Sequence, residues 1–460
     1  MDKAGKSVVI LGAARSGLAA AEFLAARGAR VTLADQRTDA QLAKEAERMK
    51  AVGVATMFGA PDLDAFATAD ELVVSPGVPL TAEPVRRAME AGVSVIGELE
   101  LAARYLKGRV VGITGSNGKT TTTTLVGEML REGGLPTQVG GNIGTAAVSL
   151  VETSREDGWT VLECSSFQLE TTRDFRPQVG VLLNITPDHL DRHGTFENYV
   201  AAKLQMFRNH GVDTLAVLNA DDPSTPLALE MLGERNAGVT LFSRTRSLDE
   251  GMFVANGEIV CRTRDGAKTL MPVSDIGLRG AHNVENVLAA LCAALACGVA
   301  PDSACDTVRK FKSVEHRLEF VAEIGGVSFF NDSKATNVDA AIKAIEAFPG
   351  GLHVILGGKD KGSDYTPLVP LLNERAKSAL LIGAATPLIE GAFEGRLSAT
   401  VATARCATMA DAVREGARRA VPGDTVLLAP ACASFDMFDN FEHRGAVFKD
   451  EVLKRMKDEG

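Results

Sequence analysis

Twelve consecutive residues, Val110-Val-Gly112-Ile-Thr-Gly115-Ser-Asn-Gly118-Lys119-Thr120-Thr121, have the types and order needed to hold a triphosphate. An apolar run enters a glycine-rich turn, and Gly118-Lys119-Thr120 opens a helical pattern. Glycines let backbone N–H groups turn inward and approach phosphate oxygens. The helix that follows adds the positive end of its dipole. Gly115, Ser116, Asn117, Gly118 and Thr121 are expected to cradle the nucleotide. Lys119 would reach the β- and γ-phosphates, and the Thr120 hydroxyl would ligate Mg²⁺. Five residues separate Gly112 from Gly118, one more than the usual spacing, so this is a variant phosphate loop. Its alternative is a glycine turn bearing a surface lysine, which leaves the strand before it and the helix after it without purpose.

A second turn, Gly12-Ala-Ala-Arg-Ser-Gly17, also lies between a strand-like run and a helical one, and Asp35 ends the next apolar run. The arrangement mimics a dinucleotide-binding fingerprint, but Ala14 replaces the middle glycine that would let a pyrophosphate come close. A nucleotide site without hydride chemistry fits as well, and so does a tight turn with no ligand. Ser75-Pro-Gly77 follows another apolar run and would form a further wall of the same crevice. Val161-Leu-Glu163 ends a short apolar run on a carboxylate. A hard oxygen at a strand end near a phosphate loop suits Mg²⁺, although alone it reads equally as a solvated strand end. The cluster Asn184-Ile-Thr-Pro-Asp-His189-Leu-Asp-Arg-His193 also ends an apolar run, the place where open α/β sheets take ligands. No His-Glu-x-x-His pattern supports zinc; singly, each histidine reads as structural. By itself, Lys203 in the helical Phe196–Phe207 pattern reads as a surface lysine.

The elements that must position these residues alternate. Strand-like runs at 8–11, 31–34, 72–74, 93–96, 110–113, 179–185, 215–218, 327–330, 353–356, 379–382 and 425–428 are mostly continuous, as in strands buried on both faces of parallel sheets. Helical patterns such as 18–26, 121–132 and 407–420 lie between some of them, which is the β-α-β rhythm of α/β folds. Three blocks each begin their own series: residues 1–104, 105–314 and 315–460, joined through Tyr105–Arg109 and Phe311–Arg317.

The 460 residues carry a net charge of −10, are 45% hydrophobic and 23% charged, and contain no long Lys/Arg run. That field repels nucleic acid and anionic membranes, so anionic ligands need helix ends, glycine loops and a few placed cations. No apolar run is long enough to span a bilayer. Met1–Lys6 leads straight into a strand-like run without a secretory pattern. Seven scattered cysteines without C-x-x-C spacing read as reduced thiols of a cytoplasmic protein.

With these residues in view, the whole chain resembles the bacterial Mur ligases that build the peptidoglycan stem peptide. The resemblance is carried by Gly112–Thr121, Glu163-Cys-Ser-Ser-Phe-Gln-Leu-Glu170, Asn184–Arg192, Gly280-Ala-His-Asn283-Val-Glu-Asn286, His316-Arg317, Asn331-Asp-Ser-Lys-Ala-Thr-Asn337 and Pro430–Gly445. The Asn331–Asn337 and Ser434–Gly445 runs resemble the D-glutamate-adding branch, and there is no Asp-Asn-Pro-Arg run of the diaminopimelate-adding one. The resemblance implies three α/β domains: a Rossmann-like N-terminal one for the UDP moiety, a central P-loop ATPase-like one with a mostly parallel sheet, and a Rossmann-like C-terminal one that helps bind ATP and the amino acid.

It further implies that D-glutamate is joined to UDP-N-acetylmuramoyl-L-alanine at the expense of ATP, through an acyl phosphate, by a cytoplasmic monomer. Gly17, Asp35, Arg37, Ser75, Gly77 and Asn142 would hold the UDP substrate, with Gln36 standing where the family has threonine. Asn286, Arg317, Asp332 and Lys334 would line ATP. Lys119, Glu163, His189 and Lys203 would be catalytic. Thr120, Glu163, His189 and a carbamylated Lys203 would ligate metal, two Mg²⁺ in all. Thr336, Lys361, Ser434 and Phe441 would position D-glutamate, with Lys359 competing for the role of Lys361. An NAD(P)-dependent oxidoreductase would leave Gly118-Lys119-Thr120 and Glu163 without a task. A nucleotide-sensing scaffold would consume no ATP. A sister ligase or folate polyglutamate-type ligase would differ in the amino acid taken.

Overall fold

The computed structural model describes residues 4–459 except Pro61, Glu234, Asn236 and Ser313; Met1–Lys3 of the leading segment and Ser313 of the expected second link lie outside the described residues. Three sheets form, and the chain divides into two compact units. The first comprises Met1–Ile185, Thr195–Met271 and Val287–Thr307; the second comprises Thr186–Gly194, Pro272–Asn286 and Val308–Gly460.

In the first unit, β1 (Ser7–Leu11), β2 (Arg30–Asp35), β3 (Ala55–Phe58), β4 (Glu71–Val74) and β5 (Ser94–Gly97) form a parallel sheet in the order β3-β2-β1-β4-β5. The order reverses beside β1, which opens a crevice at the carboxyl ends of β1 and β4. The second sheet of this unit uses β6 (Arg109–Thr114), β7 (Thr137–Gly141), β8 (Trp159–Glu163), β9 (Val179–Leu182), β10 (Leu215–Asn219), β11 (Gly238–Ser243), β12 (Gly251–Ala255), β13 (Glu258–Thr263) and β14 (Gly266–Pro272), ordered β14-β13-β12-β11-β10-β9-β6-β8-β7. Strands β7 to β12 of that list pair in parallel around β6, and β12 meets β13 antiparallel. β6 therefore lies inside the sheet, flanked by β8 and β9, and its far end is buried on both sides.

In the second unit, β15 (Glu319–Ile324), β16 (Val327–Asn331), β17 (Leu352–Gly357), β18 (Ala376–Ile382), β19 (Ala402–Arg405) and β20 (Thr425–Leu428) form a sheet in the order β15-β16-β20-β17-β18-β19. All its neighbours are parallel except β15 and β16. Apolar clusters cover both faces, one around Leu356, Ile345 and Phe348, the other around Ile355, Val426 and Phe448.

The continuous apolar runs formed strands close to their expected limits, but the run at 179–185 stops at Leu182. Asn184 beyond it turns to the phosphate loop and Ile185 N–H donates to Asp222. The strands with no such run are β3, β7, β11 to β15 and β19. Five of these, β3, β7, β14, β15 and β19, are sheet edges, where one side needs no apolar cover. All seven cysteines stand as thiols. Among the described residues no helix is long and apolar enough to cross a membrane.

The helix Glu98–Ala103 follows β5 and packs on the short turn Ala147–Leu150 of the central sheet, so the first unit has one continuous core across its two sheets. Two acids are buried in this packing. Glu100 accepts from the backbone N–H groups of Arg173 and Phe175 and from the Arg104 guanidinium. Glu98 accepts from Val148 N–H at 2.6 Å. Burial pushes its carboxyl up from 4.5 to about 7, against the opposing pull of that amide and of Arg15. The folded state therefore holds this proton more tightly than the unfolded chain does. The associated stability is complete below pH 4.5 and is lost as pH rises through about 7. The isosteric change Glu98→Gln is expected to remove that slope, leaving the protein about 3 kcal/mol more stable than the parent near pH 8 and equal to it near pH 4. Denaturant midpoints across that range check this; parallel curves for parent and variant would show that Glu98 ionises as freely folded as unfolded.

Candidate active site

The phosphate loop joins β6 to the helix Lys119–Glu132. Gly118 caps that helix at φ +83°, a left-handed conformation that suits glycine, and no side chain caps the helix in its place. The positive end of that helix therefore faces the loop. A Cβ on Gly115 would stand 3.0 Å from the Leu183 Cβ, so the chain must pass there without a side chain. Asn184 holds the loop from beneath: its Oδ1 accepts from Asn117 N–H at 2.9 Å and its backbone O from Ser116 N–H at 2.8 Å. The Ser116 and Tyr199 hydroxyls lie 3.0 Å apart.

Lys119 Nζ folds back to donate to the carbonyls of Gly115 and Ser116, at 2.8 and 2.7 Å. Thr120 Oγ1 donates to Glu163 Oε2 at 2.7 Å, and Asn142 Nδ2 to Glu163 Oε1 at 2.8 Å. Glu163 is 1% exposed, so it is no solvated strand end. A buried carboxylate and a threonine hydroxyl in contact form the hard-oxygen donor set that Mg²⁺ takes. Lys203 is also 1% exposed and donates to Gly115 O at 2.8 Å. Its helix, Phe196–Leu204, buries the face that carries it, which corrects the surface reading.

At the crevice of the first sheet, Asp35, Arg37, Ser75 and Gly77 line a cavity of about 330 Å³. Asp35 is already engaged: its Oδ2 accepts from Ala13 N–H at 2.7 Å, and Arg37 grips both oxygens through Nε and Nη2. Burial opposes ionisation, but the Arg37 guanidinium and the two amides outweigh it and bring the carboxyl to about 2. Ser75 Oγ donates to Gly12 O. Gly17 is not among the residues lining the cavity. A Cβ there would stand 1.9 Å from Gly12 O, so this glycine lets the helix Arg15–Ala25 start against the loop. From the same turn Arg15 donates to Asn142 O at 3.1 Å, which links the first turn to the residue holding Glu163.

In the second unit, His189 sits at φ +54° ahead of the short helix Leu190–His193, its Nε2 3.5 Å from Asp188 Oδ2. Asp188 also accepts from Asn337 Nδ2 at 2.9 Å and meets Lys361 Nζ at 3.4 Å. Lys361, not the exposed Lys359, thus joins the histidine segment. Thr336, one residue before Asn337, turns its N–H to Lys334 O. Lys334 Nζ lies over the Phe441 ring at 5.1 Å. Asp332 is buried, which pushes its carboxyl up to about 6 in spite of Arg317 and Lys334. Asn286 donates to Asn283 Oδ1 at 2.9 Å.

Arg444 binds these segments together. It is wholly buried and donates to Ser333 Oγ and O and to the carbonyls of Cys432 and Ala433, just before the buried Ser434. Burial among neutral acceptors brings its pKa down to about 10. His316 and Ala431, at φ +63° and +60°, mark backbone held by its surroundings. Gly445 is required beside His316, whose Nδ1 would lie 2.2 Å from any Cβ placed there.

The chain is 53% identical over 455 residues to the UDP-N-acetylmuramoylalanine–D-glutamate ligase of Acidobacterium capsulatum, covering 98% of this chain and 97% of that one. It is 49% identical to the ligase of the same name from Koribacter versatilis, across 100% of both. Residues 6–97 match the Mur ligase MurD-like N-terminal domain, 113–294 the Mur ligase middle domain and 316–432 the Mur ligase glutamate ligase domain. The chain belongs to the Mur ligase family. Among solved structures, the MurF ligase of Thermotoga maritima in complex with ADP shares the fold at a TM-score of 0.60 and 19% identity, over 92% of this chain and 95% of that one.

For a Mur ligase, the residues that sequence reasoning missed are those whose partners lie far away in the chain. Asp188 stood within the polar run 184–193, and its acid type beside His189 was the available signal. Arg444 lay in the Pro430–Gly445 run but carried no sign of burial, and Tyr199 and Arg15 carried no signal beyond their neighbourhood.

Proposed function

We propose that this chain joins D-glutamate to UDP-N-acetylmuramoyl-L-alanine, converting ATP to ADP and phosphate, in peptidoglycan precursor synthesis. The observation that carries this reading is the identity of about half, over nearly the full length, to ligases of that name. The divisions 1–104, 105–314 and 315–460 serve as UDP-substrate, ATP and amino-acid domains; each holds one of the three sheets. The enzyme works in the cytoplasm as a monomer.

A carboxylate and an amine do not condense in water without activation. The L-alanyl carboxylate oxygen attacks the γ-phosphorus of ATP, ADP leaves, and an acyl phosphate results. The amine of D-glutamate then attacks the acyl carbon, loses a proton, and inorganic phosphate leaves as the amide forms. Most of the acceleration comes from positioning and from charge stabilisation.

Lys119 and the loop 115–121 take the triphosphate, with Asn286, Arg317, Asp332 and Lys334 on the nucleotide. The helix N-terminus and Lys119 receive the negative charge that gathers as the γ-phosphoryl group transfers. Thr120 and Glu163 would hold Mg²⁺, which supplies charge neutralisation on the phosphates. Lys203, carbamylated, would exchange a cation for an oxygen donor and serve a second Mg²⁺, and His189 is a further ligand in this reading. Asp35, Arg37, Ser75, Gly77 and Asn142 receive the UDP substrate. Gly17 shapes the turn. Thr336, Lys361, Ser434 and Phe441 receive D-glutamate.

Phosphate release from ATP and Mg²⁺ with UDP-N-acetylmuramoyl-L-alanine tests the reading. D-glutamate is set against L-glutamate, L-alanine, L-lysine and diaminopimelate. Release with D-glutamate alone, with the amide identified by mass, is expected. Release with another of these amino acids would overturn the substrate assignment.

A further inference from the structure

The turn after β17 carries Lys361, and its two halves are held by different means. Up to Lys359 it is held by backbone: Lys359 N–H donates to Ala433 O at 2.9 Å and Ala433 N–H returns to Lys359 O at 3.1 Å. Beyond that point the turn closes on a side chain. The Asp360 carboxylate accepts from Gly362 N–H at 2.8 Å and Ser363 N–H at 3.2 Å. It also accepts from the Tyr365 hydroxyl at 2.6 Å, a short charge-assisted bond.

Tyr365 is 2% exposed, and its oxygen lies 3.1 Å from Cys432 Sγ. With the hydroxyl proton committed to the carboxylate, the thiol is the donor to the tyrosine oxygen. One buried hydroxyl thus joins the Lys361 turn to the segment that runs through Cys432 to Ser434. The ring packs in the apolar cluster of this face, where phenylalanine would fill the same space. A buried hydroxyl must recover its desolvation through its hydrogen bonds, and both of these bonds go to segments that bear proposed D-glutamate contacts.

We propose that Tyr365 is a positioning residue for the amino-acid substrate, its hydroxyl fixing the Asp360 turn so that Lys361 is presented beside Asp188. The inference rests on the reading of Lys361 given above.

The test measures KM for all three substrates in Tyr365→Phe, Lys361→Ala and the double variant, with thermal midpoints to confirm folding. Loss of a charge-assisted hydrogen bond corresponds to about a tenfold rise in KM for D-glutamate in Tyr365→Phe. KM for ATP and for the UDP substrate is expected to stay within about twofold. In the double variant the hydroxyl should add little to the effect of Lys361→Ala, since both act through one cation. An unchanged D-glutamate KM in Tyr365→Phe beside an impaired Lys361→Ala would overturn the inference and leave the site reading standing. A uniform rise in all three KM values, or full additivity, overturns it too. An unchanged D-glutamate KM in Lys361→Ala removes the site reading and the inference together.

Discussion

Lys119→Ala is expected to abolish ADP formation, by about 10³-fold or more in kcat/KM, equivalent to ~4 kcal/mol of transition-state stabilisation. The ammonium donates to two carbonyls of its own loop, Gly115 O and Ser116 O, and so waits where a triphosphate would lie. It stands at the start of a helix whose N-terminus has no side-chain cap. The lysine and the positive end of the helix dipole therefore act on the same charge, and the lysine is the one full cation that this loop contributes. Its removal costs the fold little, because Asn184 secures the loop independently through Asn117 and Ser116. Circular dichroism and thermal midpoints close to those of the parent, with no ADP produced in a coupled assay, are the expected pair of results. A folded variant that still turns over ATP would remove the phosphate-loop assignment.

Glu163→Gln should leave a folded enzyme whose half-saturating Mg²⁺ concentration rises about 100-fold or more. The substitution conserves volume in a position that is 1% exposed. The parent carboxylate accepts from Thr120 Oγ1 and from Asn142 Nδ2. The amide of glutamine keeps one acceptor for Asn142 and turns its NH₂ toward Thr120, whose hydroxyl can reverse and accept. The hydrogen bonds survive and the charge does not. A titration of initial rate against Mg²⁺ at saturating substrates reads the effect, and a curve that coincides with the parent's would eliminate Glu163 as a metal ligand. Asn142 ties this carboxylate to the turn that carries Arg15. A secondary weakening toward the UDP substrate is therefore expected in the same variant, smaller than the Mg²⁺ effect.

The parts of the molecule that were legible in the sequence are those whose cause is local. The phosphate loop is a strand end, a left-handed glycine and a helix start within a dozen consecutive residues, so types and spacing suffice to specify it. The interior strands were legible for a related reason: burial on both faces demands an unbroken apolar run, and β4, β9, β17 and β20 are buried along their whole length. Edge strands escape that demand, and β3 and β19, half exposed and mixed in composition, left no comparable mark. The Gly12–Gly17 turn was legible as a turn and its meaning was not, since only the packing shows that Gly17 makes room for the Gly12 carbonyl and that Asp35 is held by Ala13 and Arg37.

By itself, then, the sequence determined the α/β character, the strand, glycine turn and helix over residues 110–132 and, through its motifs, the Mur ligase family. Tertiary structure alone decided which side chains meet: Thr120 with Glu163 across 43 residues, Tyr365 with Cys432 across 67, and Asp188 with Lys361 across 173. It also decided that Lys203, which reads as a surface lysine in the sequence, is buried. Local conformation is set by neighbours a few residues away, and the sequence states those directly. A contact between distant segments depends on how sheets and helices pack, and a buried charge or hydroxyl leaves no sign of its partner until that packing exists.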